Sequence, residues 1–185
     1  RPNAATTVER TCTRCHAPAA SLEHEQHGGH VSFEDLTAGD HAEANLARDG
    51  VTCSMCHQIA DDNLGDSDSF TGGFEVGFDR ELFGPHQGVN TDPMQFFVDY
   101  TPSYGAHMLE SSLCATCHTV IVRPLDEDGI PTGAEVVEQA PYLEWLSSSY
   151  QDTPCVSCHM PTTDDEGTPI STAIARPPVP VFPRT

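Results

Sequence analysis

The sequence contains no lysine. All eight of its basic residues are arginine, set against 28 aspartates and glutamates, for a formal net charge of −20. So acidic a surface repels phosphate backbones and anionic lipid, so neither nucleic acid nor an anionic membrane is an expected partner. No run of 18 or more apolar residues occurs, which excludes a transmembrane helix. Core-forming side chains are also scarce. Leu, Ile, Val and Phe together make up just under a fifth of the 185 residues, and there is one Trp. Low hydrophobicity with high net charge is the composition of a disordered chain, which buries too little apolar surface to offset its ordering entropy. Either the chain is disordered or something other than side chains supplies its core.

What the sequence does have is eight cysteines in four copies of one pattern. They read CTRCH at 12–16, CSMCH at 53–57, CATCH at 114–118 and CVSCH at 155–159, with no cysteine left over. Two thiols three positions apart can form thioethers with the two vinyl groups of one haem, and the next residue then offers an imidazole to the iron. Cys12, Cys15, Cys53, Cys56, Cys114, Cys117, Cys155 and Cys158 are thus the expected attachment residues for four c-type haems. His16, His57, His118 and His159 are the expected proximal ligands. Competing readings leave the trailing histidines unexplained. Two four-cysteine zinc sites need no His after each pair, and a disulfide scaffold would not repeat one short separation. A thioredoxin-like motif occurs once, beside a βαβ pattern that is absent here. Four covalently tied apolar discs would also supply the missing core, with the chain wrapped around them and unfolded without them. The expected fold is mostly irregular, with short α-helices and one small β-hairpin.

On these motifs, and on the strings GVTCSMCH, SSLCATCH, YLEWLSSSY and CVSCHMP, the chain resembles the multihaem c-type cytochromes over nearly its whole length. The tetrahaem members of extracellular electron-transfer chains and cytochrome filaments are the nearest in kind. The resemblance implies attachment of haem outside the cytoplasm, so a periplasmic or extracellular protein is expected. The chain begins RPNAATT without a methionine, as it would after removal of an export signal.

Six further histidines compete for the distal side of four irons: His24, His27, His30, His41, His86 and His107. His41 and His107 lie on expected helices upstream of a motif, where the resemblance also puts distal ligands. His86 sits in the Gly-Pro-bounded FGPHQG. At least one of His24, His27 and His30, in EHEQHGGH, completes the set, and His30 is favoured because two glycines free the backbone before it. Met94 and Met108 are competing ligands, and a His/Met centre would have a raised potential.

The motif starts are 41, 61 and 41 residues apart, with no second repeat-like feature to establish duplication. Helices are expected over 40–49, with Asp40 as N-cap and Gly50 as stop, over 106–113, and over 141–150 with Pro141 in the first turn. Tyr142, Leu143, Trp145 and Leu146 would pack on haem. The β-prone runs 119–123 and 134–138 flank a turn-rich DEDGIPTG and suggest the hairpin. Residues 61–73 read as a solvent loop. Residues 1–174 form the tetrahaem domain, and 175–185, rich in proline, an extended arm.

The leading expectation is electron transfer without substrate chemistry through mainly bis-His haems. The chain would act either as a soluble shuttle between redox proteins or as the repeating subunit of a homopolymeric filament. Spare histidines and the arm suit the filament, in whose known relatives a histidine can ligate a haem of the next subunit. The alternative is a multihaem enzyme with one open iron acting on a nitrogen or sulfur oxyanion. The surplus of histidines and the lack of a carboxylate or arginine cluster argue against it.

Overall fold

A computed structural model of the chain describes residues 2–38, 40–77, 79–172 and 182–183, with backbone alone for 2, 3, 171, 172, 182 and 183. Helices take 43 % of these residues. The longest is α1 (Pro2–His16), which ends on the first cysteine motif. Ala17 breaks it, and α2 (Pro18–Gln26) starts at once on a proline that has no amide to leave unpaired. Next come α3 (Phe33–Thr37) and α4 (Ala42–Arg48). Ser32 caps α3 in a reciprocal capping box with Asp35.

Helix α4 departs from its expected start. Its N-cap is His41, whose Nδ1 faces the Ala44 amide, while Asp40 stays outside. Gly50 follows the helix with φ +66°, the left-handed turn a glycine allows. The second motif is the single turn α5 (Cys53–Cys56), with His57 as its C-cap.

Residues 61–73 are only partly a solvent loop. A 3-10 turn over Ser67–Ser69 buries Ser69 completely, and the strap 71–74 runs inward to put Phe74 in the core. Strand β1 (Glu81–Gly84) pairs in parallel with β2 (Thr101–Tyr104), and α6 (Asp92–Val98) lies in the connection between them. This pair has no alternating apolar pattern and no counterpart in the sequence reading.

The helix expected over 106–113 is two elements. A 3-10 turn, Ala106–Leu109, stops at Glu110, which is extended, and α7 (Ser111–His118) then carries the whole third motif. β3 (Val120–Val122) and β4 (Val136–Gln139) pair antiparallel, with a register shift between Val120 and Ile121. α8 (Pro141–Leu146) begins at Pro141 but stops four residues before the expected end, because Ser147 to Thr153 fold into turns. The fourth motif is α9 (Cys155–His159). β5 (Ser171–Thr172) pairs with β6 (Phe182–Pro183), and the rest of the proline-rich arm lies outside the described residues.

A repeat does emerge beyond the cysteines. In LDEDGIPT the Asp126 carboxylate accepts from the amides of Asp128 and Ile130, and in TDDEGTPI Asp164 accepts from those of Glu166 and Thr168. Both turns close with a left-handed glycine, Gly129 and Gly167, and a bridge to the following proline. The two turns follow the third and fourth motifs respectively.

The side-chain core is small. One cluster joins Ala17, Ala20, Val31 and Ala47, so α2 and α4 approach closely over alanines. A second joins Met55, Ile59 and Phe74, with Leu22, Leu64, Leu113 and Cys117 around them. Phe74 and Val31 are the largest apolar side chains buried almost completely among the described residues.

Candidate cofactor-attachment site

All four cysteine motifs adopt the same local form. In each, the C-x-x-C segment makes one helical turn, so positions three apart present their thiols on one face. The following histidine ends that turn. All eight thiols are free, with no disulfide among them.

The motifs stand close enough for their thiols to interact. A hydrogen bond links Cys15 of the first motif with Cys117 of the third. It favours the Cys117 thiolate, drawing that thiol down to about 7, and pushes Cys15 well above the ordinary thiol range. Cys114 is raised to about 11, first by burial and then by Cys155 of the fourth motif beside it. Burial also raises Cys56 and Cys12.

The proximal candidates differ in their surroundings. His57 directs Nδ1 at the Phe83 carbonyl, and the Phe83 amide returns a bond to the His57 carbonyl at 2.7 Å. A carbonyl can only accept, so Nδ1 carries the proton and Nε2 is left with its lone pair. This is the tautomer a metal-bound imidazole needs. His16, His118 and His159 are exposed at the ends of their helices.

Among the other histidines, His41 is not free as it stands. Its Nε2 lies 3.2 Å from Asp35 and its Nδ1 3.0 Å from Glu43, because the ring serves as a helix cap between two carboxylates. His107 is 2 % exposed, and its Nε2 donates to the Ile59 carbonyl at 2.9 Å while Phe83 packs edge-on against the ring. His30 pairs with Glu9 at 3.0 Å. His27 and His86 are exposed, His27 at the C-cap of α2. His24 is the exception: its Nε2 is buried without a hydrogen-bond partner. Sequence reasoning favoured His30 over His24 because the glycines precede His30. Here Gly29 instead lets the chain fold back over His24, since a Cβ there would sit 3.3 Å from the His24 Nδ1. Met108 is buried, and Met55 packs inward in the second cluster.

Among the described residues no three His, Cys, Asp or Glu side chains converge on a common point.

One feature bears on whether a large apolar group fits these residues. Bulky apolar side chains stand in solvent, among them Val51 two residues before the second motif, Leu109 and Leu146 near the third and fourth, and Met160 beside His159. A cleft of about 320 Å³ opens next to the fourth motif, with apolar lining from Leu109, Tyr142, Trp145, Leu146 and Pro154 and polar lining from Glu110, Ser111, Ser112, Gln151 and Asp152. Tyr142 and Trp145 stack there at 5.6 Å, and the indole donates to the Thr153 carbonyl, which fixes the approach to Cys155. Paired free thiols, an imidazole after each pair and uncovered apolar walls all fit a flat, covalently held, iron-bearing group.

No family model, no curated protein and no solved structure matches this chain. No helix among the described residues is long and apolar enough to cross a membrane.

Proposed function

We propose that the chain is a tetrahaem c-type cytochrome and works as an electron carrier outside the cytoplasm. The observation that carries this reading is the fourfold recurrence of a free-thiol pair on one helical turn, followed each time by histidine. Each haem c, when bound, supplies a one-electron iron couple. The chain's own part is to hold that group by two thioethers, offer an imidazole, and set its surroundings. His57 does so with its ring orientation fixed by Phe83. Trp145, Tyr142 and Leu146 line an apolar wall at the fourth site. The net charge of −20 favours the more positive oxidised state and lowers the potentials, an effect that added salt screens.

For the distal side, His24 is the favoured member of its cluster, as the one with an unsatisfied buried nitrogen. His41 and His107 remain part of the proposal only if their present partners, Asp35 and the Ile59 carbonyl, give way when the group is attached.

Within this function the chain is either a soluble shuttle or a subunit of a filament. The filament form draws on the adjacent Phe96 and Phe97, 81 % and 79 % exposed on α6, as an apolar face that self-association would cover. The alternative, an enzyme with one open iron, would need a site lacking a sixth ligand.

Intact-mass spectrometry of the exported protein under denaturing conditions tests the attachment. A mass equal to the chain plus four haems is expected, and a bare chain that releases zinc would overturn the reading. Electron paramagnetic resonance then separates carrier from enzyme: low-spin signals alone are expected, and a stoichiometric high-spin centre would favour the enzyme. Negative-stain imaging separates fibre from compact particle.

A further inference from the structure

The third motif is built into contact with each of the other three. From the first motif, Arg14 donates through Nε to the Gly72 carbonyl at 2.9 Å, and the Gly72 amide donates to the Thr116 carbonyl at 2.7 Å. Arg14 and Thr116 occupy the same place in their motifs, the second residue between the cysteines. The strap is fastened further where Thr71 bonds the Thr119 carbonyl through its amide and the Ile121 backbone through its hydroxyl. Gly72 has φ +78°, and a Cβ there would run into the Arg14 side chain and stand 3.4 Å from the Cys15 sulfur. Only glycine lets the first and third motifs close on the strap from both sides.

The second motif reaches α7 by packing. Met55, again the second residue between the cysteines, is 3 % exposed in a cluster with Phe74, Leu113 and Cys117. The fourth reaches it by a hydrogen bond, in which the Cys155 amide donates to the Ser111 hydroxyl at 3.0 Å. Thus α7 meets α1 through a shared strap, α5 through an apolar cluster and α9 through its first turn.

We propose that the attachment site on α7, Cys114 with Cys117 and His118, is the hub of the set, and that the site on α9 is peripheral, coupled to the rest through α7. This rests on the tetrahaem reading and adds an order in space that motif spacing does not contain. Charges at adjoining sites interact more strongly than at separated ones. The oxidation state at the hub should therefore bear on the potentials at all three neighbours, and that at the α9 site mainly on the hub's.

The test compares two double variants of the full exported chain, Cys114→Ser/Cys117→Ser and Cys155→Ser/Cys158→Ser. Intact mass first counts the haems, and a wild-type chain without haem would sink the tetrahaem reading itself. With three haems per variant, a spectroelectrochemical titration reads their midpoints. The expected result is that emptying the α7 site shifts all three remaining midpoints, whereas emptying the α9 site shifts one. Equal or smaller shifts from the α7 variant would overturn the hub with the tetrahaem reading intact. If the α7 variant does not fold, His118→Met and His159→Met keep every group attached and raise one potential each. The same contrast in the other three midpoints then decides.

Discussion

His57 and Phe83 hold each other twice, by the Phe83 amide on the His57 carbonyl and by the His57 ring on the Phe83 carbonyl. Both bonds use the Phe83 backbone, so side-chain substitution at 83 keeps them; proline would remove only the one its amide donates, and the ring orientation is set by the path of β1. On the proposed function, the haem held by Cys53 and Cys56 should stay attached in His57→Ala but turn high-spin, with imidazole added from solution restoring it. Magnetic resonance of the oxidised variant checks this. An unchanged low-spin spectrum would remove His57 from the ligand set.

The strap between the first and third motifs makes a second prediction. Gly73 follows Gly72, and a Cβ on it would strike the Asp68 carbonyl, a backbone atom that cannot swing aside. Gly73→Ala should cost roughly 2–4 kcal/mol of stability, in the range of overpacked backbone sites. Gly133, with nothing near its Cβ position, should tolerate alanine within about 0.5 kcal/mol. Paired denaturation curves give both values, and similar costs at the two sites would refute the close approach.

Much of this arrangement is local, and that part was legible. Four cysteine motifs can be found by spacing because each closes within one turn. The start of α8 follows from Pro141, and the β3–β4 pair from two β-branched runs around a turn-rich segment. What pairs across distance was not. The parallel β1–β2 pair joins ELFG to TPSY, neither of which alternates. Helix α1 is polar along most of its length, and its Thr and Asn are weak helix formers. The strap at 71–74 hides behind a run of Asp, Ser and Gly that reads as solvent loop until Thr116 and Thr119 are seen to bind it. The repeated turn at Asp126 and Asp164 was present as D-x-x-G-x-P in both places. It escaped because the turns are 38 residues apart while the motifs before them are 41 apart.

Tyr142 gives the third prediction, in pH. Burial, and then the negative charge of Asp66, raise its phenol above the ordinary value. A phenol that ionises later in the folded state than in the unfolded one adds stability that is complete below pH 10. That stability falls away as pH rises through 10 toward the folded value. Unfolding free energies between pH 8 and 11 should therefore drop more steeply in the wild type than in Tyr142→Phe, which keeps the stacking on Trp145. Parallel slopes would mean that the phenol is not held neutral by the fold.

His24 gives the fourth. Its carbonyl accepts from the amides of His27 and Gly29, so the turn after α2 is wound around it, and its Nε2 is buried without a partner. A buried nitrogen left unbonded costs about 1–3 kcal/mol, a penalty that a coordinated iron would relieve. The two explanations for that nitrogen separate on substitution. If it is a ligand, His24→Ala converts one centre of the loaded protein to high spin, and imidazole reverses the change. If it is only an unsatisfied core atom, the same variant keeps every centre low-spin and raises stability by relieving the penalty. His30→Ala is the control: it removes a partly buried pair with Glu9, and should leave the spectrum unchanged. A high-spin centre from His30→Ala, with none from His24→Ala, would return the ligand to the residue the glycines first suggested.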